Sequence, residues 1–166
     1  YGATLIGPNC VGYMNENYAG VFTSPIPHFV PDSIDLISGS GATALFIIDA
    51  AVQLGIPFAN VFSVGNSAQT GLEEVLEYLD ESYVHGKSAP VKLIYAESIK
   101  NPLKLWKHAS SLYRKGARIA AVKAGSSEAG SRAASSHTGA LASPDTAVTA
   151  LFEKAGIIRC NGSNQL

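Results

Sequence analysis

A doubly wound α/β sheet with mostly parallel strands is what this sequence predicts, and three observations predict it. Short, almost uninterrupted apolar runs rich in β-branched residues recur along the chain, as strands buried on both faces require. Longer stretches of helical composition alternate with them, which is the pattern of a parallel sheet wrapped by helices. Glycines stand where three of those stretches would end, in position to take the left-handed conformation that closes a helix. With 166 residues, 46% apolar and 15% charged, one compact domain around one core is expected.

Taken in order, the strands are expected at Ala3 to Gly7, Ile34 to Ser38, Asn60 to Val64, Val91 to Ala96, Arg118 to Ala124 and Ile157 to Cys160. Between them, Ala42 to Leu54, Leu72 to Leu79, Pro102 to Lys115 and Pro144 to Ala155 suit helices. The last has a strong start, with Ser143 as N-cap, Pro144 at the first helical position and Asp145 in the first turn. Gly55, Gly116 and Gly156 are the three closing glycines. Alternating elements with short links imply a parallel, doubly wound sheet, and a flavodoxin-like order is the expected topology. Two stretches break the rhythm. Val11 to Ser33, with Pro25, Pro27 and Pro31, is a long irregular connection with room for a short edge strand. Gly125 to Ser143 is rich in Gly, Ser and Ala, and the tail Asn161-Gly-Ser-Asn-Gln reads as fraying polar chain.

Composition excludes several classes of function. Lys plus Arg number 12 against 13 Asp plus Glu, so no basic excess exists to neutralise a phosphodiester backbone, and nucleic acid is not an expected partner. The apolar run Gly41 to Ala51 contains Asp49 and falls short of the roughly 18 residues that cross a bilayer. Two cysteines, Cys10 and Cys160, give neither a disulfide framework nor metal-ligand spacing, which fits a reducing, cytoplasmic setting with no metal site. The chain opens on Tyr1 and runs at once into apolar residues, as expected of a piece cut from a longer protein.

In a sheet of this kind ligands collect at the carboxyl ends of the strands. That edge should carry Gly7 to Gly12, Ser38 to Gly41, Gly65 to Thr70, Glu97 to Lys100 and Gly125 to Gly139. Ser38-Gly39-Ser40-Gly41 joins a strand to a helix, so its N–H groups and the helix dipole can hold a phosphate without a lysine; the plain alternative is an ordinary capped turn. Among four histidines, His28, His85 and His108 suit solvated or structural roles. His137 differs: Ser135, Ser136, Thr138 and Gly139 around it are small or hydroxylic, and an accessible imidazole can take and release a phosphoryl group. Glu97 ends an otherwise apolar strand at the same edge, where a carboxylate can fix one ring nitrogen and free the other; capping or plain solvation is its alternative role. A serine hydrolase using Ser40 with His137 is a rival reading, although Ser38 and Ala42 stand where a nucleophile elbow has glycines. Gly125 to Arg132 has the glycine spacing of a phosphate-binding loop, but Ser131 and Arg132 replace its lysine and hydroxyl residue, so nucleotide is expected elsewhere.

Five ordered segments carry a resemblance over roughly Leu5 to Arg159: G-P-N-C-V-G at Gly7, S-G-S-G-A at Ser38, S-V-G-N at Ser63, Y-A-E-S-I-K at Tyr95, and K-A-G-S-S-E-A-G at Lys123 running on to S-H-T-G-A-L. Together they resemble the flavodoxin-like ligase domain of NDP-forming acyl-CoA synthetases of the acetate-CoA ligase (ADP-forming) type, relatives of the succinyl-CoA synthetase α-subunit. The resemblance implies that His137 is phosphorylated and that Glu97 steadies it. It makes Ser38, Gly39, Ser40, Gly41 and Ala42 the phosphate cradle, joined by Thr138 and Gly139, and puts Asn9 and Cys10 near the thioester end of coenzyme A. It implies coenzyme A or acyl-CoA and phosphate as ligands here, with ADP or ATP and Mg on a separate ATP-grasp domain. The partners would be CoA-binding and ATP-grasp domains or subunits in an oligomeric enzyme, without which the fragment is inactive. On this reading residues 1–12 close a preceding CoA-binding domain, 13–33 connect, 34–160 form the ligase domain and 161–166 are a tail. A non-catalytic CoA-responsive module, as in related protein acetyltransferases, is the other reading; retention of His137 argues against it.

Overall fold

The computed structural model describes residues 2–21, 26–125 and 145–166. Its strands are β1 (Gly12–Asn15), β2 (Tyr18–Ala19), β3 (Ile34–Ser38), β4 (Asn60–Ser63), β5 (Val91–Ala96), β6 (Arg118–Lys123) and β7 (Ile157–Cys160). Its helices are α1 (Gly41–Gln53), α2 (Leu72–Glu81), α3 (Pro102–Arg114) and α4 (Asp145–Ala155). The strands form one sheet in the order β2-β1-β4-β3-β5-β6-β7. From β4 to β7 every pairing is parallel, and in chain order that block runs second, first, third, fourth, fifth, the flavodoxin-like arrangement.

Period-two alternation decides which helix covers which face. Ile37, Phe62, Ile94 and Ile119 point into a core shared with Leu76 of α2, Leu112 of α3 and Phe152 of α4. Their neighbours Leu36, Val61 and Leu93 point the other way, against Ile47, Ile48 and Ala51 of α1. Buried on both sides, these strands are mostly apolar, which is why they were legible. A buried polar chain crosses the sheet: Lys92 Nζ donates to Asp35 at 2.5 Å, Asn60 donates to the same carboxylate at 2.7 Å, and the Tyr13 hydroxyl donates to Asn60 at 2.9 Å.

Gly55, Gly116 and Gly156 do close their helices, with φ of 68°, 99° and 72°. Three expectations are corrected or lie out of view. Ala3 to Gly7 is not a strand. Only Ile6 makes a bridge, to Thr70, because the edge of β4 that such a strand would need is taken by β1, paired antiparallel from Gly12 opposite Ser63 to Asn15 opposite Asn60. The irregular connection therefore contributes a hairpin, β1 with β2, to the same sheet. The tail does not fray: it makes a 3-10 turn over Ser163–Gln165 and packs Leu166 on the α1 side of the core. Ser143 and Pro144 lie outside the described residues, which resume at Asp145.

His28 and His85 are exposed and His108 is buried, its Nδ1 2.9 Å from Asp80 between α2 and α3. Burial alone would raise the Asp80 carboxyl pKa, but hydrogen bonds from Lys115, Ser111 and His108 outweigh it and hold that pKa below the usual aspartate value.

Candidate functional site

The loop after β3 leads to one side of the sheet and the loop after β5 to the other, so the carboxyl ends of these adjacent strands form the topological switch point. A cavity of about 770 Å³ opens there. Asn9, Cys10, Gly39, Ser40, Gly41, Ala42 and Glu97, all singled out from sequence, line it. Ser38 does not reach the wall. It is fully buried and works from below: its hydroxyl donates to the Ser40 carbonyl at 2.7 Å and accepts from the Ser40 N–H at 3.2 Å. His137, Thr138 and Gly139 lie outside the described residues, as does most of Gly125 to Arg132.

The turn from β3 into α1 is built to leave a helix N-terminus bare at the cavity. Ser40 is the N-cap, in extended conformation, and its Oγ accepts from the Thr43 N–H at 3.3 Å and from the Thr43 hydroxyl at 3.2 Å. Capping thus occupies the oxygen that the hydrolase reading needs as a nucleophile. Among the described residues no hydrogen bond joins Ser40 to a histidine. Gly39 lets β5 come close: a Cβ there would lie 3.3 Å from the Glu97 nitrogen and 3.6 Å from the Glu97 Cβ. Its N–H donates to the Tyr95 carbonyl at 2.9 Å. Glu97 is therefore beside the α1 N-terminus, not merely on the same edge.

Glu97 is also held from behind. Lys123, the last residue of β6, is 6% exposed and donates through Nζ to the Glu97 carbonyl at 2.9 Å and to the Ala124 carbonyl at 2.6 Å. Burial pushes the ammonium pKa down, and the Asp145 and Glu97 carboxylates offset part of that.

The third wall joins the first segment of the chain to the loop after β4. The Asn66 N–H donates to the Pro8 carbonyl at 3.0 Å and the Ala68 N–H to the Gly7 carbonyl at 2.9 Å. Asn9, with φ of 57°, donates through its side chain to Asn66 at 3.2 Å. Val11 continues the wall, its N–H donating to the buried Ser63 hydroxyl at 3.2 Å.

Sequence reading placed Glu73 in a helix and Lys100 in a loop of this edge, but gave neither residue a role. Both line the cavity. The available signal was a second acidic residue in the first turn of a helix that opens on the rim, and a lysine three places after Glu97. No group of three or more His, Cys, Asp or Glu among the described residues could hold a metal ion, and no described helix is long and apolar enough to cross a membrane.

Fold and site together define an open α/β domain that gathers a helix N-terminus, two carboxylates and an ammonium at its switch point. The chain belongs to the succinyl-CoA ligase like flavodoxin domain family, whose model matches residues 31–166. It is 37% identical to the acetate–CoA ligase [ADP-forming] of Methanocaldococcus jannaschii, over 96% of this chain and 22% of that protein. With the acetate–CoA ligase [ADP-forming] II subunit alpha of Pyrococcus furiosus it shares 34% identity, over all of this chain and 35% of the relative. Among solved structures, the dinucleotide forming acetyl-coenzyme A synthetase 1 of Ca. Korarchaeum cryptofilum, in complex with phosphate and ADP, superposes with a TM-score of 0.83 at 27% identity. That match covers 95% of this chain and 33% of that one. The chain thus spans about a third or less of these relatives.

Proposed function

We propose that this chain is the phosphoryl-transferring domain of an ADP-forming acyl-CoA synthetase. The observation that carries the reading is the close approach of Glu97 to the β3–α1 turn, in a cavity that Glu97 and the start of α1 both line. In the reaction, phosphate attacks the acyl-CoA carbonyl carbon; the C–S bond breaks, giving an acyl phosphate and the CoA thiolate. An imidazole nitrogen of His137 then displaces the carboxylate from phosphorus. The phosphohistidine passes its phosphoryl group to ADP, and each step reverses when ATP drives acyl-CoA synthesis.

Such transfer depends on positioning and on dipoles aimed at the phosphoryl oxygens, which the N–H groups of Gly41 and Ala42 at the start of α1 supply. Glu97 orients the His137 ring, Thr138 and Gly139 give the phosphoryl group room, and Asn9 and Cys10 face the thioester end of coenzyme A. The ADP or ATP with its Mg, and the body of coenzyme A, belong to ATP-grasp and CoA-binding domains or subunits of a cytoplasmic, oligomeric enzyme.

In the intact enzyme, a phosphate on His137 that survives base and is lost in acid is the expected intermediate. His137→Ala should abolish ATP formation and leave acyl-CoA binding nearly unchanged; substantial residual turnover would count against the assignment. Glu97→Gln should slow phosphoryl transfer by about ten- to a hundredfold, the usual effect of losing a carboxylate that orients a metal-bound imidazole. Wild-type rates in that variant would remove Glu97 from the mechanism.

A further inference from the structure

Lys100 is anchored at both ends before any ligand arrives. Its backbone N–H and that of Asn101 donate to one oxygen of Glu73, at 2.7 and 2.9 Å, and Glu73 is only 2% exposed. Its Nζ donates to the Asn66 carbonyl at 3.1 Å and to the Ser67 carbonyl at 2.6 Å, across the cavity rim. An ammonium has three donors, and these contacts use two.

The nature of the anchors matters. Lys92, Lys104 and Lys115 each meet a carboxylate, which neutralises them. Lys100 is held by two uncharged carbonyl groups, whose dipoles orient the ammonium without cancelling its charge. Of the charged side chains on the described wall of the cavity, Glu73 and Glu97 are acidic and Lys100 is basic. Two carboxylates repel an entering phosphate or carboxylate, and a fixed cation on the same wall offsets part of that repulsion and gives the anion a local partner.

We propose that Lys100 is an anion-contacting residue, whose remaining N–H binds an oxygen of the reacting oxyanion, phosphate or carboxylate. This rests on the ligase reading and adds to it a side-chain cation beyond the helix N-terminus. A lysine that merely tied the loops after β4 and β5 together would matter to every ligand alike; one that touches the anion would not.

The test uses the intact enzyme with Lys100→Met and Lys100→Arg. KM is measured for phosphate, with acyl-CoA and ADP, and for the carboxylic acid, with CoA and ATP, beside the thermal midpoint of each variant. The expected result is a rise of about ten- to a hundredfold in KM for at least one of the two anions in Lys100→Met, the effect of one charge-assisted hydrogen bond. KM for nucleotide and for CoA should stay within about twofold, and Lys100→Arg should recover most of the loss. Whichever anion is affected identifies the oxygen that Lys100 meets. Unchanged KM for both anions would overturn the proposal, as would a uniform loss that follows the melting temperature and that arginine does not restore. Failure of the ligase reading would show separately, as a wild-type enzyme that forms no phosphohistidine.

Discussion

Replacing Gly65 by alanine should damage the cavity wall in a way that the same change at Gly55 does not. Both glycines are left-handed, with φ of 55° and 68°. A side chain there costs about 1–2 kcal/mol at either position. Around Gly55 nothing lies within 4 Å of the added Cβ, so the backbone cost is the whole effect. At Gly65 the Cβ would stand 2.2 Å from the Pro8 carbonyl oxygen and 2.4 Å from that of Asn9. Those are backbone atoms and cannot swing aside, so the first segment must lift away from the loop after β4. Lifting it breaks the bonds from Asn66 to Pro8 and from Ala68 to Gly7, each contributing about 0.5–1.5 kcal/mol. The expected loss for Gly65→Ala is therefore about 2–5 kcal/mol, against about 1–2 for Gly55→Ala. Equilibrium unfolding of the chain in urea, with m-values compared to confirm that only stability has changed, measures both. In the intact enzyme Gly65→Ala should also raise KM for acyl-CoA, since Asn9 and Cys10 move with that segment. Equal stability of the two variants would refute the argument that close backbone packing builds this wall.

Asp35→Ala should cost about 3–5 kcal/mol, because Lys92 would remain buried with its charge unpaired; Asp35→Leu combined with Lys92→Met should recover nearly all of it. Urea midpoints of the single and double variants test this, and a mild single variant would show that water reaches the ammonium. For Asp80, a folded pKa below the ordinary value of about 3.9 means stabilisation that is complete above that pH and lost as pH falls through the folded pKa. Asp80→Asn should accordingly flatten the decline of the urea midpoint below about pH 4, and an unchanged slope would assign that decline to other carboxylates. Glu74 and Glu77, whose pKa values are also lowered, act in the same direction but are more exposed and screened by salt.

How much was legible in the sequence follows from how far each signal reaches. β3, β4, β5 and β6 announced themselves because each is buried on two faces, while β7, an edge strand with Ile158 exposed, was marked by its apolar start directly after Gly156. The Ser38–Ala42 turn was legible for a similar reason: a cap is made within four residues. Ala3 to Gly7 misled because its composition is that of a strand, while the edge it needed belongs to β1, a four-residue strand whose Gly12 and Asn15 look like loop. Strand pairing at an edge is a contest between distant segments, and no local window contains both competitors.

The sequence by itself determined β3 to β7, the helices between them, the flavodoxin-like order and the edge on which the cavity opens, because period, capping and link length act over a few residues. Only the tertiary structure decided that Glu97 touches the Gly39 turn, that Lys123 braces it from behind, and that Glu73 and Lys100 lock two loops across the cavity. Those meetings join positions 26 to 58 residues apart. Loop and side-chain conformation at the ends of neighbouring strands brings them together, and no local window of sequence holds both partners.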